Sequence, residues 1–380
     1  MAVVYEFRLY HPSGYRIATF DDCLSATIQH RIGSADVSKF VLNANDPRCQ
    51  LFTADCMLEF WRKDDAYNVD WYKEAEVFHR QSMYEISDKG EPVFTSQGIG
   101  YEDLLRRRWV LYDAGSVYTS KFDTAETCMK DFVNENLGPN ATNPFRWKNG
   151  TMSGFTVQPD ARTGYLWSGE KAQLNLNDVI SEISAYGRVF YKIVGITPGV
   201  FQFQTVYGQP GIDRTNNMID PTTGLNESGN IPVVFSIPLG NMSRPKYDED
   251  HMGSVGFVFI TGDGIQSEKT RTVVVDPYEV SLSPWNDSEY VQNQRGTDEN
   301  GLSSAGGSIV YQRQSGIYKY TFSVQQVENT LYGLHYMCGD RITASMFGNT
   351  LHKIIAGVNV ELTNSGDLAE NINVDLQDWI

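Results

Sequence analysis

The 380-residue sequence predicts an α+β chain that is mostly β, with antiparallel β modules at both ends and a compact α+β module between them. Three observations predict it. Near both ends, short runs alternate apolar and polar side chains and are separated by Gly, Pro, Asn and Asp, the period-two signature of half-buried strands joined by turns. In the middle, two segments place apolar residues at helical spacing behind capping side chains. The composition, with 21 Tyr, 19 Phe and 33 Gly, is rich in strand and turn formers. The length also exceeds what one core ordinarily serves, so several modules are expected.

The elements follow in chain order. Residues 5–10 and 15–20 read as a hairpin closed by Pro12-Ser13-Gly14. Residues 24–31 alternate Leu24, Ala26 and Ile28 against Ser25, Thr27 and Gln29, and residues 38–43 form a further strand before the Asn45-Asp46-Pro47 break. Residues 56–62 and 74–86 continue the pattern, and Asp88-Lys89-Gly90 turns the chain into residues 92–97. A short helix with acid early and base late, Gly100-Tyr101-Glu102-Asp103-Leu104-Leu105-Arg106-Arg107-Arg108-Trp109, closes a first β module over residues 1–109.

A helix is predicted to start at Asp123-Thr124-Ala125-Glu126, to carry Ala125, Cys128, Met129, Phe132 and Val133 on one face, and to stop at Gly138-Pro139. Residues 138–170 are rich in Pro, Asn and Gly and leave room for one strand. Asn177 caps a second helix with Val179, Ile180, Ile183 and Tyr186 on one face and Gly187 as its stop, and residues 188–194 and 200–206 follow as a hairpin across Pro198-Gly199. Amphipathic helices need a sheet to cover, so residues 110–207 form the α+β insert. Residues 208–232 read as a linker, and the strand-like runs 257–260, 270–275, 317–327, 341–346 and 351–362 define a second β-rich module over 233–380.

The hydrophobic fraction of 41% with 21% charged residues describes a folded chain. Its net charge of −16 argues against specific nucleic-acid binding, which rests on Lys and Arg neutralising phosphates. Cys23, Cys49, Cys56, Cys128 and Cys338 are odd in number and irregular in spacing, which fits free thiols made in a reducing cytoplasm. The N-terminus lacks a basic leader with an apolar stretch, and no apolar run approaches the ~18 residues of a membrane span. Sequons at Asn140, Asn149, Asn226, Asn241 and Asn286 reflect an Asn-rich loop composition.

Constellations for chemistry are sparse, and no catalytic, cofactor-binding or metal residue is assigned. His335 and Cys338 lack the second ligand pair that a closed zinc site needs. Cys49 and Cys56 read as buried thiols. The carboxylates Asp21-Asp22, Asp64-Asp65, Glu74 with Glu76, and Asp248-Glu249-Asp250 could form a hydrolytic pair only if the fold brought them together, and solvated surface charge is the plainer reading. Gly262-Asp263-Gly264 reads as a hairpin turn, and Arg106-Arg107-Arg108 as a solvated helix end. Trp61, Trp71, Trp109, Trp147, Trp167, Trp285 and Trp379 are scattered, which suits packing better than a sugar-binding platform.

Four segments resemble the hub proteins of tailed phages and related injection machines, including siphophage tail-tip proteins. They are Phe40-Val41-Leu42-Asn43-Ala44-Asn45-Asp46-Pro47, the run from Gly100 to Arg108, Thr124-Ala125-Glu126-Thr127-Cys128-Met129-Lys130-Asp131-Phe132-Val133, and the run from Tyr332 to Ala344, and they fall in order along most of the chain. The resemblance implies two tube-like antiparallel β-barrel domains with inserted α+β peripheral domains, assembled as a homotrimer. It implies a structural, non-enzymatic role at the virion tail tip, or baseplate. A distal tail protein or the tail tube would lie above, and a spike, fibre or tape-measure protein below. DNA would pass through the lumen during ejection without specific binding. A carbohydrate-binding tail adhesin and a tail-associated cell-wall hydrolase are the alternatives. No long extension follows the last strand-like segment, and residues 367–380 read as a docking tail or a final strand.

Overall fold

The computed structural model describes residues 3–88, 90–111, 119–141, 150–262, 264–265, 269–293, 299–314, 317–364 and 368–378. The first part of the chain is a run of strands: β1 (Val3–Tyr10), β2 (Arg16–Phe20), β3 (Ser25–Arg31), β4 (Val37–Asn43), β5 (Met57–Asp64), β6 (Val69–Ile86) and β7 (Pro92–Gly100). The short helix α1 (Asp103–Arg106) and β8 (Trp109–Val110) lead into the insert, which holds β9 (Thr119–Thr124), α2 (Ala125–Asn136), β10 (Phe155–Val157), β11 (Leu166–Lys171), β12 (Leu174–Asn175), α3 (Leu176–Gly187), β13 (Val189–Thr197) and β14 (Val200–Tyr207). Then come β15 (Asp213–Arg214), β16 (Val234–Ser236) and β17 (Met242–Glu249). A smaller unit follows, with β18 (Phe257–Thr261), β19 (Arg271–Val275), α4 (Pro277–Leu282), β20 (Glu289–Asn293) and α5 (Glu299–Gln314). The chain closes with β21 (Tyr318–Val324), β22 (Arg341–Met346), β23 (Asn349–Asn364) and β24 (Leu368–Gln377).

The mostly β class is observed, with most strands joined in one sheet, and no closed barrel is found among the described residues. Fourteen strands join in that sheet, in the order β17-β21-β24-β23-β3-β4-β7-β6-β5-β1-β2, with β22 on β23 and the short β15 and β16 on β22. Strands from the two ends of the sequence meet where β23 pairs antiparallel with β3, from Gly357 opposite Arg31 to Thr363 opposite Ser25. No pair among the described residues links the terminal strands β2 and β17. One apolar core nevertheless runs through both halves, from Phe7, Phe20, Phe40 and Phe60 to Phe235, Phe322, Val358 and Val374. Residues 208–232, expected as a linker, run beside β22: β15 pairs with it in parallel, and the Asn226 amide donates to the carbonyls of Asp213 and Thr215 at 3.0 Å.

In the insert, α2 and α3 cover the sheet β10-β14-β13, and their core takes in Met57, Phe78 and Tyr101 from the main body. Helix starts follow capping chemistry with shifted boundaries. Thr124 caps α2 by accepting the Thr127 N–H, and Asn175, not Asn177, caps α3 by accepting the Asn177 N–H at 3.0 Å. Gly187 belongs to the last turn of α3, and the left-handed cap residue is Arg188, at φ 55°. The glycine serves closeness instead, because a Cβ there would lie 2.0 Å from the Ala125 Cβ. The loop-rich stretch 138–170 contributes two strands, β10 and β11, where one was expected.

The strand-like runs 257–260 and 270–275 leave the main sheet and form β18 and β19 of the smaller unit, in the order β19-β18-β20, covered by α5. Neither α4 nor α5 is expected from the sequence. The α5 segment, with Gly306, Gly307 and several serines, has weak intrinsic helicity. Tertiary packing overrides this: Gly306 lies so near β19 that a Cβ would meet Val274 at 2.5 Å.

Candidate functional site

Four inward-facing strand rows run from apolar into polar residues. At two-residue intervals Ala26 and Ile28 lead to His30, Leu58 and Phe60 lead to Arg62, Phe7 is preceded by Tyr5, and Ile372 by Glu370. Because side chains alternate along a strand, these polar groups point the same way as the core residues and must satisfy one another there. Arg62, only 1% exposed, grips Glu370 through Nε to Oε2 at 2.8 Å and Nη2 to Oε1 at 3.0 Å. Tyr5 donates its hydroxyl to the same carboxylate. Such a fork is planar and bidentate, and losing one partner of a buried pair costs about 3–5 kcal/mol.

A second group adjoins it. Glu74 accepts from His30 Nε2 at 3.0 Å and from the Tyr332 hydroxyl, while His30 Nδ1 lies 2.9 Å from Asp36. Lys192 of the insert brings its Nζ to 3.8 Å from Asp36, and the buried Glu102 accepts the Ile193 N–H at 3.1 Å. Burial alone would lower the His30 pKa, but the charge of Asp36 and the hydrogen bonds to Asp36 and Glu74 lift it to about 10. His30 is thus an imidazolium at neutral pH. Against the cost of their own burial, its charge and hydrogen bonds hold Glu74 and Asp36 below their ordinary range. Burial, then repulsion from Asp36, pushes Glu102 up to about 7.

This cluster joins β1, β3, β5, β6, β24, the 326–336 segment and the insert, and most of its polar atoms bond to one another, although Glu74 Oε2 is buried without a hydrogen-bond partner among the described residues. It ties modules together and sets no nucleophile beside a base. Cys338 borders the adjoining cavity of about 240 Å³, and burial pushes its thiol up to about 12, the mark of an inert sulfur.

The residues weighed from sequence are not brought together. His335 Nδ1 accepts the Leu331 N–H at 3.0 Å while Cys338 points its sulfur at the carbonyls of Ile355 and Ala356. Among the described residues no group of three or more His, Cys, Asp or Glu is arranged to hold a metal. All five cysteines are free, with Cys49 and Cys56 buried. Asp22 lies 3.9 Å from Arg48, Asp65 pairs with Lys63 at 3.0 Å, and Asp64 accepts the Ala66 N–H in a turn. Glu74 and Glu76 diverge, the first to His30 and the second to Lys73 and the Gly195 N–H. Asp248 pairs with Lys246, Glu249 accepts from Tyr247 and His251, and Asp250 accepts the Met252 N–H.

Arg107 is no solvated helix end: it joins Asp55 at 2.9 Å to Asp103 at 2.8 Å. Trp167 is fully buried, the Arg8 guanidinium lies over Trp61, and Trp285 projects into solvent. Asn226, Asn241 and Asn286 spend their side-chain amides on backbone carbonyls. Trp147, Asn149, Asp263, Asp367 and Trp379 lie outside the described residues. The buried network was missed from sequence, although a signal exists: a charged residue two positions beyond an alternating apolar row, as in Leu58, Phe60, Arg62.

The described residues thus combine a mostly β sheet with an α+β insert and a buried network of charges. The chain belongs to the Siphovirus ReqiPepy6 Gp37-like protein family, whose model matches residues 6–372. No curated protein matches. Among solved structures it is similar to a tail protein from Neisseria meningitidis MC58, with 10% identity over 99% of this chain and 98% of that one and a TM-score of 0.58. It is also similar to the 43 kDa tail protein of prophage MuSo2 from Shewanella oneidensis, with 10% identity, 98% of each chain covered and a TM-score of 0.56. A chain of a PdpA–VgrG complex matches with a TM-score of 0.51 at 9% identity, over all of this chain and 65% of that one. The fold is therefore that of phage tail proteins, as the resemblance in the sequence implied.

Proposed function

We propose that this protein is the structural hub of a phage-type tail tip, a homotrimer that closes the tail tube, matches a sixfold tube to a threefold tip and forms part of the DNA conduit. The observation that carries this reading is the end-to-end likeness to tail proteins, which spans 99% of this chain and 98% of the Neisseria protein and so involves the whole architecture. The two halves of the sheet act as the tube-like domains, two per chain and six per trimer, with the insert and the α5 unit outside. The terminal strands β2 and β17 support a ring, since each leaves backbone groups, without a strand partner among the described residues, that a neighbouring copy can pair. A net charge of −16 suits a conduit that repels passing DNA. The distal tail protein or tube docks above, and a spike, fibre or tape-measure protein below. The role is assembly and not catalysis.

Native mass spectrometry of the purified protein, together with electron microscopy of particles from a phage lacking its gene, tests the proposal. A trimer and particles without a finished tip are expected. Complete, infectious tails assembled without the protein would sink it.

A further inference from the structure

We propose that the cleft where the insert, α5 and the end of the main sheet meet binds an anionic sugar, a pyranose carrying one carboxylate or phosphate. The cavity measures about 490 Å³, within the roughly 300–1,000 Å³ of small-molecule sites, and it is lined by Tyr165, Ser184, Arg188 and Tyr207 of the insert together with Tyr311 of α5 and Asp378 after β24. This reading is independent of the hub assignment.

Arg188 carries the argument. It stands in the left-handed region at φ 55°, where a non-glycine residue other than Asn costs about 1–2 kcal/mol. That conformation caps α3, and the Arg188 N–H donates to the Ser184 carbonyl. The guanidinium lies 5.4 Å from the centre of the Tyr165 ring, and among the described residues it has neither a hydrogen bond nor a carboxylate partner. Arg48, Arg62, Arg107 and Arg162 each hold an acid, whereas Arg188, like Arg16, Arg31 and Arg271, has no carboxylate partner among the described residues, and of these it is the one that lines this cavity. An unpaired guanidinium at a cavity is a ready partner for a carboxylate or phosphate, which its fork binds through two N–H groups.

The walls select what the anion is attached to. Tyr165 and Tyr207 are 42% and 48% exposed and border the cavity, so part of each ring is available to the C–H face of a sugar, while the Ser184 and Tyr311 hydroxyls offer hydrogen bonds to its hydroxyls. One guanidinium, in a cavity that Asp378 also lines and in a chain of net charge −16, suits a single anionic group and disfavours a polyanion.

Calorimetric titration of the full chain with glucuronate, glucose 6-phosphate, glucose and inorganic phosphate tests the site. At least one of the two charged sugars is expected to bind ten or more times more tightly than both glucose and phosphate. Arg188→Asn, which keeps a residue tolerant of the left-handed turn, is expected to weaken that binding tenfold or more with an unchanged melting temperature, and Tyr165→Ala to weaken binding of the same sugar. Failure of both charged sugars to bind saturably, phosphate binding as tightly as the sugars, or full affinity in Arg188→Asn would each overturn the proposal. Should Arg188→Asn lower the melting temperature, Tyr165→Ala decides: retained affinity overturns the site and lost affinity upholds it.

Discussion

At the scale of single residues, His30 shows how a buried charge is made tolerable. Desolvation opposes its protonation, and two carboxylates on either side reverse the balance. Its folded-state pKa of about 10 lies above the ordinary 6.5, so its contribution to stability is complete below about pH 6.5 and is lost as pH rises through 10. Asp36 and Glu74 are depressed, so their contribution is present above the ordinary carboxylate range of about 4 and disappears in acid. Urea denaturation against pH should therefore show a plateau near pH 5–6.5 and a decline toward pH 10 of roughly a few kcal/mol. His30→Gln should flatten the alkaline decline, and an equally steep decline in that variant would remove His30 as its cause.

At the scale of elements, much was legible and the failures have physical reasons. The hairpin of β1 and β2, the strands β3, β4 and β7, and the faces of α2 and α3 follow from periodicity and turn formers, because each buries one face against a single neighbour layer. The helix α5 was hidden because its glycines, poor for an isolated helix, are what close contact with β19 requires. Gly187 carried a different message from the one its place at a helix end suggested. Since a Cβ there would overlap Ala125, Gly187→Ala should destabilise the insert by about 1–3 kcal/mol. A downward shift of the insert's denaturation midpoint measures this, and an unchanged midpoint would mean that α2 moves aside freely.

At the scale of the whole molecule, the seam between β3 and β23 governs. Sequence periodicity announced β modules at both ends but not that they share a sheet, because pairing partners more than three hundred residues apart leave no local mark. The buried network was likewise illegible as a whole: Arg62 and Glu370 each look like an exception within a strand until the fold sets them together. A fragment of residues 1–207 lacks β23 and half of the common core, so it should aggregate or unfold without cooperativity when produced alone. Co-production with residues 208–380 should restore a soluble complex. A cooperative melt of the isolated fragment would contradict the shared-core account.

The same seam sets a schedule for the ribosome. Arg31 is synthesised long before its partner Gly357, and at about 5–20 residues per second the interval is roughly 15–65 s. Throughout that time the β3 edge waits without its neighbour beside an apolar half-core, while nascent chains on the same message carry the identical edge. The hazard belongs to birth more than to the finished particle, and it makes slower elongation, crowded polysomes and the supply of chaperones the conditions to which the yield of this protein should be most sensitive.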